Sequence, residues 1–168
     1  DVYRGQSGSA VALSSDGDTA IIGGSSTNKA RIYSRVDSSW VQLGVDIVDD
    51  SVSYTLGRSV ALSGNGRTAI IGAPLSGGNG QFRGLTRIYT WNETSAPPAW
   101  EQMGSDINGE ADSDRSGSSV ALSEDSEGGL TALIGAGGVN SYSGHARIYA
   151  WNGADAWVQQ GAGIDGES

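Results

Sequence analysis

Gly57-Arg58-Ser59-Val60-Ala61-Leu62-Ser63, then Asn65-Gly66, then Thr68-Ala69-Ile70-Ile71-Gly72, is the stretch on which the fold turns. Two short aliphatic, β-branched runs flank an Asn-Gly dipeptide, whose tolerance of positive φ closes tight hairpins. The same order occurs twice more. Gly8-Ser9-Ala10-Val11-Ala12-Leu13-Ser14 leads through Asp16-Gly17 to Thr19-Ala20-Ile21-Ile22-Gly23. Gly117-Ser118-Ser119-Val120-Ala121-Leu122-Ser123 leads through a longer 124–129 segment to Thr131-Ala132-Leu133-Ile134-Gly135. Each copy then continues into a third run (Ala30-Arg31-Ile32-Tyr33, Thr86-Arg87-Ile88-Tyr89, Ala146-Arg147-Ile148-Tyr149). A fourth closes it at Trp40-Val41-Gln42, Trp100-Glu101-Gln102 and Trp157-Val158-Gln159.

Four short antiparallel strands in a unit of about 50 residues match one blade of a β-propeller. The spacing predicts an all-β chain of three such blades, 8–56, 57–116 and 117–168. No segment sustains a 3.6-residue period, so almost no helix is expected. The second run of each unit is nearly all apolar, which suits a sheet covered on both faces. In the third run Arg87, Tyr89 and Trp91 share one face and Ile88 takes the other. Trp40, Trp100 and Trp157 recur at one position, which reads as packing between blades. Arg35 stands where the other copies have Trp91 and Trp151, so the first blade should have a different neighbour or a looser outer edge.

Composition narrows the function. There is no cysteine, which excludes disulfides, thiolate chemistry and cysteine-based zinc sites. The net charge of -9 repels phosphate backbones and argues against nucleic acid as a partner. No apolar run is long enough to span a membrane. The 27 glycines recur at equivalent places between apolar runs and act as turn punctuation.

The order Gly-x-Ser-Val-Ala-Leu-Ser, Asp/Asn-Gly, Thr-Ala-Ile-Ile-Gly72-Ala73-Pro74, then Gly84-x-Thr86-Arg87-Ile88-Tyr89, resembles the FG-GAP repeat of integrin α-type propellers, and does so in all three copies. The resemblance implies a secreted or cell-surface module that adheres to a protein or glycan ligand without catalysis. The alternatives are a lectin-like propeller and a scaffold subunit of a larger complex. One departure matters. The calcium loop of many such repeats shrinks to Ser15-Asp16-Gly17-Asp18 and Gly64-Asn65-Gly66-Arg67, too poor in carboxylates to surround calcium.

Three blades are too few to close a ring, and both chain ends fall at the same point of the repeat. Further blades are therefore expected, from the same or another chain.

Candidate sites follow from oxygen-bearing and loop residues. Asp106, Asn108, Glu110, Asp112 and Asp114 alternate along the second connector, a pattern that suits calcium. Phe82, Arg83, Tyr142 and His145 lie in or beside the loops between second and third strands, and these are the binding candidates. His145 is the chain's single histidine, and no G-x-S-x-G elbow accompanies it, so no catalytic residue is assigned. The G-x-G-x-x-G at Gly161–Gly166 sits in a β-connector and lacks the strand-to-helix context of a dinucleotide site. Asn92-Glu93-Thr94 forms a glycosylation sequon.

Overall fold

The computed structural model describes residues 7–48, 55–77, 82–138 and 143–167. They form three antiparallel sheets, one per sequence repeat, arranged as consecutive blades of a β-propeller. The first blade holds β1 (Ser7–Leu13), β2 (Thr19–Gly24), β3 (Lys29–Val36), β4 (Ser39–Gln42) and β5 (Ile47–Val48). The second holds β6 (Ser59–Leu62), β7 (Thr68–Ala73), β8 (Leu85–Asn92), β9 (Ala99–Gln102) and β10 (Ile107–Asn108). The third holds β11 (Ser116–Glu124), β12 (Leu130–Ala136), β13 (His145–Trp151), β14 (Trp157–Gln159) and β15 (Ile164–Asp165). The one helical turn described is a 3-10 segment, Ser25–Thr27.

The hairpins form as the dipeptides require. Gly17 (φ 75°) and Gly66 (φ 70°) take the left-handed conformation. Asp16 and Asn65 brace these turns alike: Asp16 Oδ1 accepts from the Asp18 amide at 2.9 Å, and Asn65 Oδ1 from the Arg67 amide at 2.8 Å. These side chains spend their oxygens on turn amides.

Each blade carries a fifth, two-residue strand that the sequence reading placed in the connector. It pairs with the start of the third strand, as in Ile107 with Thr86. The physical reason is burial: Ile47 and Ile107 are 7 % and 9 % exposed, and the strand aims them into the core.

First strands of successive blades lie against one another, β1 on β6 and β6 on β11, so they line the propeller axis and the tryptophan strands lie outermost. Two apolar layers result. One joins Ile21, Ile32 and Ile47 of the first blade to Val60, Leu62 and Ile71 of the second. The other joins Ile70, Ile88 and Ile107 of the second to Ala132, Ile134 and Tyr149 of the third.

The blade contact repeats at the outer rim and at the axis. The Trp100 indole N–H donates to the Leu43 carbonyl of the preceding blade at 2.9 Å, and Trp157 donates to Met103 at 2.9 Å. Trp91 and Trp151 back these indoles with ring centroids 5.5 Å away. In the first blade Arg35 pairs across from Trp40 and forms an ion pair with Asp18, and Trp40 is 47 % exposed. Nearer the axis, Gly23 and Gly72 let the next blade's backbone approach. A Cβ at either position would lie 3.0 Å from a carbonyl carbon, of Gly57 and Gly117 respectively, and closer still to its oxygen.

Candidate functional site

The connector from β10 to β11 joins the second blade to the third. It is stitched to both neighbouring blades. Gly109 N–H donates to the Gly84 carbonyl at 3.0 Å, Arg115 N–H to Phe82 at 2.9 Å and Ser116 N–H to Arg83 at 2.9 Å, all on the second blade. Gly138 of the third blade donates to the Asp114 carbonyl at 3.2 Å. The loop closes on itself through Asp114, whose Oδ2 accepts the Glu110 amide at 3.0 Å. Ser113 (φ 67°) and Arg115 (φ 54°), the residues on either side of Asp114, both lie in the left-handed region. Non-glycine residues there carry backbone strain, which the surrounding hydrogen bonds hold in place.

The result is a carboxylate driven inward. Asp114 is 1 % exposed, and its Oδ1 lies 3.6 Å from His145 Nδ1 without a hydrogen-bond partner. The His145 side chain is 10 % exposed, and its Nε2 has no hydrogen-bond partner either. Two residues along β13 is Arg147, 4 % exposed. Its Nη2 donates to the Asn108 carbonyl at 3.0 Å and to Ser116 Oγ at 3.3 Å, and its Nη1 faces Glu110 at 3.2 Å. Its guanidinium lies 5.7 Å from the Tyr149 ring centroid, and its Nε is without a partner. Buried polar atoms are normally satisfied, so three unsatisfied ones in adjoining side chains mark an unusual place.

Arg147 occupies this place because of one substitution between repeats. In the first blade Arg31 Nε donates to Asp46 at 2.8 Å, with Lys29 and Gln42 on the same carboxylate. In the second, Arg87 grips Asp106 through two bonds of 2.8 and 2.9 Å, joined by Gln102. The arginines hold both carboxyls below the usual carboxylate range, Asp46 the further. The third blade has Gly163 at that position, so Arg147 lacks the equivalent carboxylate and turns to the second blade's connector. Arg147 was not among the expected site residues. The glycine in place of an aspartate was the signal for it.

Of the four binding candidates, His145 alone joins this cluster. Arg83 pairs with Asp112 at 2.7 Å, both half-exposed, and Phe82 is 37 % exposed with its carbonyl bonded to Arg115. Tyr142 lies outside the described residues. The five connector residues read as a cation site are drawn to separate basic partners: Asp106 to Arg87, Glu110 to Arg147, Asp112 to Arg83, Asp114 towards His145. Asn108 offers its backbone carbonyl to Arg147. Among the described residues no three acidic or histidine side chains gather as metal ligands. The alternation of Asp106 and Asn108 has another cause: they flank Ile107, which β10 turns into the core while Asn108 faces out. The sequon residue Asn92 caps its own loop, its Oδ1 accepting from the Thr94 and Ser95 amides at 2.9 and 3.2 Å.

A separate concavity of about 450 Å³ opens on the outer side of the third blade, with Ser119, Gly135, His145 and Ile164 in its wall. Ser119 and Gly135 correspond to Ser59 and Gly72. In the second blade these are covered by the following blade, and Ser59 Oγ donates to the Gly117 carbonyl at 2.7 Å. The concavity therefore has the shape of a blade seat rather than of a small-molecule pocket.

No protein-family model matches the chain, and no curated protein matches it in sequence. The FG-GAP resemblance rests on its motifs alone. Solved structures do match. A putative 6-phosphogluconolactonase from Bacteroides fragilis superposes with a TM-score of 0.63 at 14% identity, over 94% of this chain and 38% of that one. Hydrazine synthase from Kuenenia stuttgartiensis matches with a TM-score of 0.55 at 12% identity, over 93% of this chain and 36% of that one. A periplasmic gluconolactonase from Pseudomonas aeruginosa reaches 0.46 at 11% identity, over 96% and 58%. The first two likenesses show the fold, and this chain spans less than two thirds of all three structures. Those first two are named for enzymes. That corrects the expectation of a non-catalytic adhesion module, together with its lectin and scaffold alternatives. No helix among the described residues is long and apolar enough to cross a membrane.

Proposed function

We propose that this chain supplies three blades of an enzyme-type propeller, and that its chemistry is acid–base hydrolysis of a lactone at His145, between the second and third blades. One observation carries the reading: an imidazole faces a buried carboxylate at Nδ1 and has no partner at Nε2. A general base needs that arrangement, with one nitrogen oriented and the other available. At 3.6 Å the pair is longer than a formed hydrogen bond, and this reading requires it to tighten when substrate binds. The similar propeller named a putative 6-phosphogluconolactonase supplies the substrate class, a sugar lactone.

In this reading His145 Nε2 takes a proton from water as the water oxygen bonds to the lactone carbonyl carbon. Asp114 balances the positive charge on the ring. The tetrahedral intermediate collapses, the ring C–O bond breaks, and the imidazolium proton passes to the departing alkoxide, leaving an open hydroxy acid. Arg147, two residues along β13, is the cation this reading assigns to the developing oxyanion, and its Nε has a hydrogen to give. His145 Nε2 is buried, so this reading requires local opening of the site to bring water and lactone to that nitrogen.

The test is proton release from glucono-δ-lactone and its 6-phosphate by the purified chain. His145→Gln should slow hydrolysis about a hundredfold or more and Asp114→Asn by a smaller factor, while the exposed Arg67→Ala should match wild type. A wild-type rate equal to buffer, or an unaffected His145→Gln, refutes the reading.

A further inference from the structure

We propose that Arg147 binds the carboxylate of a small hydroxy acid, in the place beside Gly163 that an aspartate fills in the other two blades. The inference concerns binding and does not depend on the hydrolytic reading. It rests on a site that the chain builds three times and completes with its own side chain twice.

The first two copies define the site atom by atom. Arg31 Nε and Arg87 Nε each donate to an aspartate Oδ1 at 2.8 Å, of Asp46 and Asp106 respectively. A glutamine shares the same oxygen, Gln42 Nε2 at 2.9 Å and Gln102 Nε2 at 2.8 Å. The third copy keeps both donors and has glycine for the acceptor. Arg147 Nε has no hydrogen-bond partner among the described residues. Gln159 Nε2 keeps its bond to the Gly161 carbonyl at 3.2 Å, as Gln102 does to Gly104 at 3.2 Å, without the carboxylate bond of its counterparts. There is room at Gly163, where a Cβ would have its nearest neighbours at 3.8 Å (Arg147 Cγ) and 3.9 Å (the Ala146 carbonyl oxygen). A ligand carboxylate that accepts from Arg147 Nε and Gln159 Nε2 reproduces the Asp46 and Asp106 arrangement, through charge-assisted bonds.

Binding moves one side chain. Arg147 Nε is buried as the structure stands, and Nη1 faces Glu110 at 3.2 Å. Glu110 is 63% exposed, so this ion pair is weak, and water solvates its carboxylate once the guanidinium turns towards Gly163. The place stays reachable with a blade on either side of it. Asp106, its counterpart in the middle blade, keeps 29% of its side chain exposed.

The body of the ligand follows from the adjoining wall. Tyr149, whose ring centroid lies 5.7 Å from the Arg147 guanidinium, also borders a cavity of about 240 Å³ between the second and third blades. Ser105, Asn108 and Asp155 line it, where the repeat preceding each has Val45, Val48 and Pro98. The polar exchanges sit at the junction whose arginine lacks its own carboxylate. They suit a ligand that carries hydroxyls beside its acid.

The experiment is isothermal titration calorimetry of the intact chain with sodium gluconate, and with sodium chloride and sorbitol as the anion and polyol controls. Gluconate should bind saturably, one per chain, and neither control should. Gly163→Asp places the chain's own carboxylate on Arg147, so it should weaken gluconate about tenfold or more with unchanged circular dichroism. Gly163→Ala makes only ordinary contacts and should bind as wild type does. Gluconate is already the open acid, so no turnover enters the measurement, and a chain that hydrolyses no lactone still tests the proposal. No saturable gluconate binding by the folded wild type would overturn it. So would equal affinity in Gly163→Asp, or sorbitol binding as tightly as gluconate.

Discussion

Gly72→Ala should be among the most damaging single-methyl changes in this protein, and its cost can be worked from the blade interface. A Cβ at Gly72 meets two obstacles: the Ser59 hydroxyl of its own sheet and the Gly117 carbonyl of the next, whose carbon lies 3.0 Å away. The hydroxyl can rotate aside, but the carbonyl is backbone and moves only with its blade. Relief needs the second and third blades to part by roughly 1 Å locally, which forfeits a quarter to a half of each dispersion well across the gap. With about 40 atom pairs at ~0.15 kcal/mol each, that is about 2 kcal/mol. Loss of the Ser59 to Gly117 hydrogen bond adds about 1 kcal/mol. The sum, about 3 kcal/mol, corresponds to a fall of about 1.5 M in the urea midpoint for a slope near 2 kcal/mol/M. Gly135→Ala is the internal control. It meets the same hydroxyl, of Ser119, but no following backbone, and should cost less than about 1 kcal/mol in the monomer. Urea titrations at low chain concentration measure the difference. Equal losses for the two variants would mean that the blades do not approach at Gly72 as described.

Trp100→Phe should cost about 2 kcal/mol by urea titration, from the lost bond to Leu43 and the smaller ring. Trp40→Phe, at an exposed indole, should cost less than about 0.5 kcal/mol. Asp106→Asn should lose about 1–2 kcal/mol at pH 7, because the Arg87 pair is part-buried and bidentate. The folded carboxyl titrates below its unfolded value, so this contribution is complete above the unfolded pKa near 4 and is lost as pH falls through the lower folded value. The gap between variant and wild type should therefore narrow below pH 4, as urea midpoints at pH 7 and pH 2.5 would show. Gly163→Asp restores the carboxylate that Arg31 and Arg87 possess, and its Cβ has ordinary room, 3.8 Å from Arg147. It should leave the melting temperature within a few degrees, draw Arg147 from Glu110, and abolish most lactone hydrolysis; unchanged hydrolysis would remove Arg147 from the chemistry.

The architecture was legible because blades are built from local signals repeated in register. The Asp16-Gly17 and Asn65-Gly66 turns fix two hairpins, and Ile70 beside Ile71 announces a sheet buried on both faces, which both residues confirm at 0% exposure. The fifth strands were not legible, since two residues such as Ile107-Asn108 carry no period, and what makes them strands is pairing with the start of a strand distant in sequence, as Ile107 pairs with Thr86. The candidate site was harder still. Asp114 and His145 are far apart in the chain, and what brings them together is a connector folded under two strained residues, Ser113 and Arg115. Alternating acids looked like ligands for one ion because sequence does not show that each has its own basic partner, an arginine for three of them and His145 for Asp114. Arg147 was hidden for the opposite reason: it is common to all three repeats, and its distinct role arises from Gly163, a residue that makes no bond through a side chain.

The tryptophan-to-carbonyl contact has a consequence for growth and heredity. Every blade bears both halves of one joint, plug and socket, so duplicating a blade in the gene would create a new joint without any new surface having to be invented. Length is then free to vary, and the count at which the assembly stops is governed by the tilt between neighbouring sheets rather than by any terminating residue. A change that flattened that tilt would turn a closed object into a spiral, with the same joints intact at every step.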